Sequence, residues 1–83
     1  MAILEKPSKL VDLRGLLCPV PVIRTSQEIK LVPIGAILEI LTTDPGSKPD
    51  LVAWARMTGN ELVEFSEENS SSRVFRFLIR RSK

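Results

Sequence analysis

Two prolines one residue apart, Pro19 and Pro21, restrict the backbone of this chain more than any other feature. Proline fixes φ near the helical value and has no N–H, so within a helix it is tolerated in the first turn. Val22, Thr25, Ile29 and Val32 follow at helical spacing, with Gln27, Glu28 and Lys30 between them. The pattern predicts a helix from Pro21 to Val32 with its polar residues toward water, stopped by Pro33-Ile34-Gly35. Each proline also biases the residue before it away from helical geometry. Cys18 and Val20 should therefore sit outside regular helix, on a stiff loop that begins with the turn at Arg14-Gly15.

The remaining elements follow from breakers and alternation. Lys9 to Leu13 reads as a short strand, and Ala36 to Thr43, rich in isoleucine and leucine, as a central one. Asp44-Pro45-Gly46 is a turn. Ser47, with Asp50 three residues on, is expected to cap a second helix with Leu51, Trp54, Ala55 and Thr58 inward and Gly59 as its left-handed end. Glu61 to Ser66 is a third strand, Glu67 to Ser72 a polar loop. Arg73 to Arg81 is a fourth strand, with Phe75, Phe77 and Ile79 on one face and Arg76 and Arg80 on the other. The order β-α-β-α-β-β and the right-handed crossover rule imply an α/β (α+β) two-layer sandwich. Two helices would cover one face of a mixed four-stranded sheet. Ile37 and Leu41 would lie on the open face.

Eighty-three residues make one small domain that buries only about 60% of its unfolded surface. Residues 1–8 read as a flexible N-terminal tail without signal-peptide features, and 9–83 as a single domain. No apolar run is long enough for a membrane span. The net charge of +2 says little about partners. Glu61, Glu64, Glu67 and Glu68 precede Arg73, Arg76, Arg80, Arg81 and Lys83, and in a hairpin those charges would face each other across strands. That reading is preferred to a nucleic-acid patch.

Cys18 is the only cysteine, and there is no histidine. The chain has no internal disulfide, which suits a reducing cytoplasm. Any covalent chemistry has one nucleophile and no imidazole base. A thiol attacks as its thiolate, and the electropositive start of a helix, with its unpaired N–H groups, favours an anion there. Lowering the pKa from ~8.5 to ~7 needs only ~2 kcal/mol and ionises about half of the thiol. A cysteine between leucines also suits a small buried apolar residue. The Pro-x-Pro pair, which a core cysteine does not require, favours a presented sulfur. Arg14 and Arg24 are candidates to stabilise the thiolate or steer an acidic partner. Gly15, Pro19 and Pro21 are candidates to support the loop.

The run Gly15-Leu16-Leu17-Cys18-Pro19-Val20-Pro21 resembles the Cys-Pro-x-Pro signature of the TusA/SirA-like sulfur carriers. The resemblance extends through Thr43-Asp44-Pro45, Asp50, the stretch Ala53 to Leu62 and Phe77 to Arg81, nearly the whole chain. It implies the two-layer sandwich inferred above. It also implies that Cys18 takes sulfane sulfur from a donor protein, a cysteine desulfurase or a rhodanese-like sulfurtransferase. The persulfide is then relayed to an acceptor serving tRNA thiolation, cofactor synthesis or sulfur oxidation. Three positions depart from the common pattern: Val20 where an acid is frequent between the prolines, Thr43 in place of the first of two acids, and Asn60 where histidine is common. These departures bear on partner choice and leave the cysteine chemistry intact.

Such a relay needs an accessible sulfur and no base within the carrier, so the absence of histidine is tolerable here and damaging for a hydrolase. With no second cysteine the persulfide is not resolved to a disulfide. One cysteine and no histidine exclude a zinc site. Gly46-Ser47-Lys48 lacks the upstream glycine of a phosphate loop and reads as a turn. The expectation is a cytoplasmic sulfurtransferase-type carrier without cofactor or metal, monomeric or weakly dimeric, touching neither nucleic acid nor membrane. Its docking surface would be Leu16 to Pro21 and the first helical turn. Two other readings use the same loop: a non-enzymatic interaction module, and a thiol redox sensor that oxidises at Cys18.

Overall fold

A computed structural model describes residues 6–17, 19–69 and 73–82. The chain runs β1 (Lys9–Asp12), α1 (Val20–Glu28) with a 3-10 turn (Ile29–Leu31), β2 (Ile37–Thr42), α2 (Ser47–Thr58), β3 (Glu61–Asn69) and β4 (Arg73–Arg80). The strands form one mixed sheet in the order β1-β2-β4-β3. β1 and β2 are parallel, and β4 is antiparallel to β2 and β3. The predicted two-layer α+β sandwich is the observed architecture.

Alternation decides which strand residues meet the helices. Leu38 and Ile40 of β2, Phe75, Phe77 and Ile79 of β4, and Val11 and Leu13 from the β1 segment form one buried cluster with Ile29, Val32, Leu51, Trp54 and Ala55. Phe65 packs against this cluster, its ring centroid 5.1 Å from that of Phe77. Thr25 is fully buried on α1, and its hydroxyl donates to the Pro21 carbonyl one turn back.

The opposite face carries a smaller apolar layer sealed by charge. Ile37 and Leu78 are buried there although no helix covers them, and Leu41 is half-buried. The register sets Leu78 between Glu39 of β2 and Glu64 of β3. Arg76 pairs with both of those carboxylates, and Arg80 pairs with Glu61. Arginine stems cover apolar surface while their heads stay in water. At the far end of the hairpin Arg73 meets Glu67 at 3.0 Å. Glu61, Glu64 and Glu67 therefore face Arg80, Arg76 and Arg73 across strands, whereas Arg81 donates to the Val32 carbonyl and Lys83 lies outside the described residues.

Several boundaries and faces differ from the sequence reading. α1 begins one residue earlier, at Val20, because the Val20 N–H is held by the Leu17 carbonyl at 2.9 Å. Its last residues tighten into a 3-10 turn, and Val32 before Pro33 is extended. β3 continues through Glu67, Glu68 and Asn69, which pair with Phe75, Val74 and Arg73; partner strand length overrides local polarity. A register shift lies between Leu62 and Glu64. Residues 70–72 of the expected loop lie outside the described residues, as does most of the expected tail (residues 1–5).

Glu28 does not face open water. It is mostly covered and pairs with Lys9 of β1 and with Arg24. Thr58 is exposed rather than inward, its hydroxyl satisfied by the Trp54 carbonyl. Ser47 lies inside α2, not at its cap. The N-cap is Gly46, and Ser47 turns back to donate to the Asp44 carbonyl at 2.7 Å. That hydroxyl has a single proton, so the Thr42 hydroxyl 2.6 Å away is the donor to it. Gly59 ends α2 with φ +77, where a side chain would be strained.

Candidate functional site

The loop between β1 and α1 is built from its anchors outward. The Leu13 N–H bonds the Leu41 carbonyl at 2.8 Å, and the Leu13 side chain is buried. Arg14 then folds back on Asp12. Its backbone N–H and Nε donate to Asp12 Oδ1, and its Nη2 donates to Oδ2 at 2.7 Å. These bonds, the side-chain ones foremost, lower the Asp12 pKa to about 2 and raise that of Arg14. Gly15 turns the chain at φ +86, and its N–H donates to the Thr43 hydroxyl oxygen at 2.9 Å. Leu16 bonds back to the Leu13 carbonyl and packs on the core, whereas Leu17 is largely exposed.

Cys18 lies outside the described residues. It is bracketed in sequence by Leu17 and Pro19, both exposed. Pro19 is the N-cap of α1, and Pro21 is buried in the first turn. The first-turn amides are used within the helix. Val20 bonds Leu17, and the N–H groups of Val22 and Ile23 both bond the Pro19 carbonyl, at 3.1 and 3.2 Å. The expected set of unpaired N–H groups is therefore corrected. Pro19 and Pro21 have none to offer, and the others have internal acceptors. What this helix end retains is its dipole field.

A second loop stands beside the first through the Gly15–Thr43 bond. Thr42 and Ser47 are buried and share their hydroxyl pair, and Asp44 Oδ1 accepts from the Gly46 N–H at 3.2 Å. An open groove of about 540 Å³ runs between the helices, lined by Pro19, Val22, Ala53, Trp54 and Met57 with Asp50 and Thr58. Met57 is 85% exposed, and Val20 and Ile23 are also exposed. Trp54 is both a core residue and a wall of this groove. Arg24, on α1, pairs with Glu28 at 3.6 Å, so both candidate cations have carboxylate partners. Among the described residues no cluster of three or more His, Cys, Asp or Glu side chains could hold a metal ion.

The structure thus places Gly15 in the loop, with Arg14 at its entry, Pro19 at the cap of α1 and Pro21 inside its first turn. Sequence reasoning did not identify Thr43 as an anchor. The bond spans 28 residues, and no local pattern reports it. Met57 was also missed as a groove residue, because an exposed methionine near a helix end carries no periodic signal.

Two helices on a mixed four-stranded sheet form the architecture of a SirA-like protein. A crystal structure of a SirA-like protein from Desulfitobacterium hafniense superposes with a TM-score of 0.75 at 25% identity, covering 90% of this chain and 99% of that one. A family model described as sulfurtransferase TusA matches residues 9–81, and the chain belongs to that family. The sulfur carrier protein TusA of Allochromatium vinosum is 42% identical over 72 residues, 87% of this chain and 91% of that protein.

Proposed function

We propose that the protein is a sulfur carrier in which Cys18 holds the cargo as a persulfide. The observation that carries this reading is membership of the TusA family combined with a single cysteine in the segment that heads α1. In the proposed step the Cys18 thiolate attacks the terminal sulfur of a donor persulfide. A new sulfur–sulfur bond forms to Cys18, the donor's sulfur–sulfur bond breaks, and the donor cysteine leaves as thiolate. The exchange is redox-neutral and needs no cofactor. An acceptor thiol or activated acceptor then receives the sulfur.

Each flanking residue has a role in this reading. Gly15 provides the turn, and Pro19 and Pro21 stiffen the junction of the loop with the first turn of α1. Arg14 and Arg24 steer an acidic partner weakly, since Asp12 and Glu28 offset their charge. Apolar contact does more. Leu17, Val20, Ile23 and Met57 are exposed, with Met57 on the groove wall, and a donor or acceptor can bury them. The donor is a cysteine desulfurase or a rhodanese-like protein, and the work is done in the cytoplasm by a monomer or weak dimer. No helix among the described residues is long and apolar enough to cross a membrane.

Intact mass tests the assignment. After incubation with a desulfurase and cysteine, or with a rhodanese and thiosulfate, the protein should gain one sulfur atom that reductant removes. The Cys18→Ser variant should gain none. A wild-type chain that takes up no sulfur from either donor class, or a Cys18→Ser chain that takes it up equally, contradicts the proposal.

A further inference from the structure

We infer that Thr43 is a positioning residue for the Cys18 loop, holding it in the shape a sulfur donor recognises; this rests on the carrier role proposed above. Among the described residues of this segment, 13–17 and 19–20, most bonds are local. Leu13 to Leu41 is a backbone bond at the root, while Leu16 to Leu13 and Val20 to Leu17 are internal to the segment. Arg14 to Asp12 is local. Thr43, just after β2, reaches this segment from far away in sequence, its hydroxyl accepting the Gly15 N–H at 2.9 Å.

Gly15 itself has no side chain to pack, although Leu13 and Leu16 on either side of it reach the core. Gly15 is exposed, and a Cβ built on it meets nothing within 4 Å. Its φ of +86 lies in a turn closed by the Leu16–Leu13 backbone bond and joined to the second loop by Thr43. Thr43 is itself well placed to act as an anchor. It follows Thr42, which is buried and joined through the Ser47 hydroxyl to the start of α2. The tie runs from the first turn of α2, through the end of β2, to a glycine three residues before Cys18. Without the hydroxyl, water takes the exposed Gly15 N–H and the turn samples other shapes. Only the fraction of molecules with the loop in place then binds the donor, which weakens apparent affinity and leaves the sulfur step in the docked complex unchanged.

The test compares wild type, Thr43→Val, Thr43→Ala and Thr43→Ser in sulfur loading from a rhodanese-like donor charged with thiosulfate, with Gly15 amide hydrogen exchange followed by NMR. Valine keeps the shape and removes the acceptor; alanine guards against a packing defect of valine. Loss of one such hydrogen bond should raise the donor concentration for half-maximal loading about five-fold. The limiting rate should stay within about two-fold, and serine should restore wild-type behaviour with Gly15 protected from exchange. If Gly15 exchanges freely in the valine and alanine variants while their loading curves superpose on wild type, the bond is merely structural and the inference fails. If wild type itself loads no sulfur, the carrier role fails and the positioning role with it. Those two failures are told apart by the wild-type curve alone.

Discussion

At the scale of single residues, the two prolines act by different means. Pro21 is buried in the first turn of α1, where its carbonyl also accepts the Thr25 hydroxyl. Pro19 is exposed, and its carbonyl holds the N–H groups of both Val22 and Ile23. Alanine at position 19 keeps that carbonyl and loses only the ring. Pro19→Ala should therefore cost no more than about 1 kcal/mol of stability, chiefly through a freer unfolded chain. It should still slow sulfur loading several-fold, because the residue following the cysteine is no longer fixed. Denaturant midpoints and loading time courses measure the two effects separately. Equal loading rates would contradict the role given to the ring.

Among the elements, the helices and strands were legible from periodicity wherever one face is buried. The alternation of Phe75, Phe77 and Ile79 against Arg76 and Arg80 gave β4 its two faces, and the 3.6-residue spacing from Thr25 to Ile29 to Val32 gave α1 its inner side. What was not legible depends on contacts far apart in sequence. β3 runs to Asn69 because β4 offers partners up to Arg73, which no residue within Glu67–Asn69 announces. Ser47 does not cap the helix because its hydroxyl donates to the Asp44 carbonyl and accepts from the Thr42 hydroxyl. The open face illustrates the same point energetically. Arg76 is 40% exposed, so its pairs with Glu39 and Glu64 are screened, and Arg76→Met should change stability by less than about 1 kcal/mol. Leu78→Ala, at a fully covered position on the same strand, should cost about 2–5 kcal/mol. Equilibrium unfolding of the two variants orders them. Equal losses would mean that charge, not the apolar layer, holds this face.

For the molecule as a whole, two paired carboxylates contribute to the acid limb of stability. The Asp12 pKa falls from 3.8 to about 2 through its hydrogen bonds from Arg14, and that of Glu28 falls through its bond to Lys9. A lowered folded-state pKa contributes stability above the unfolded value, and that contribution is lost as pH falls through the folded one. Stability should be flat with respect to these groups above their ordinary range. It should decline for Asp12 between pH 3.8 and about 2. Asp12→Asn should flatten that decline in acid-unfolding curves while also releasing Arg14. An unchanged acid limb would show that the Asp12–Arg14 pair does not persist in solution. The loop that follows Arg14 remains the centre of the account. Its residue types, Gly15, Cys18, Pro19 and Pro21, were readable from sequence. Its attachment through Thr43, and the internal use of the α1 amides, came only with the fold.

The central claim is that sulfur travels on Cys18 from one protein to another, and a pulse of radiolabelled sulfur tests it most directly. The chain is loaded from a labelled desulfurase, separated from it, and mixed with an acceptor thiol protein. The account predicts that label leaves with the wild-type chain, is absent from Cys18→Ser, and appears on the acceptor. Label that never leaves the donor, or that leaves equally with Cys18→Ser, would contradict it.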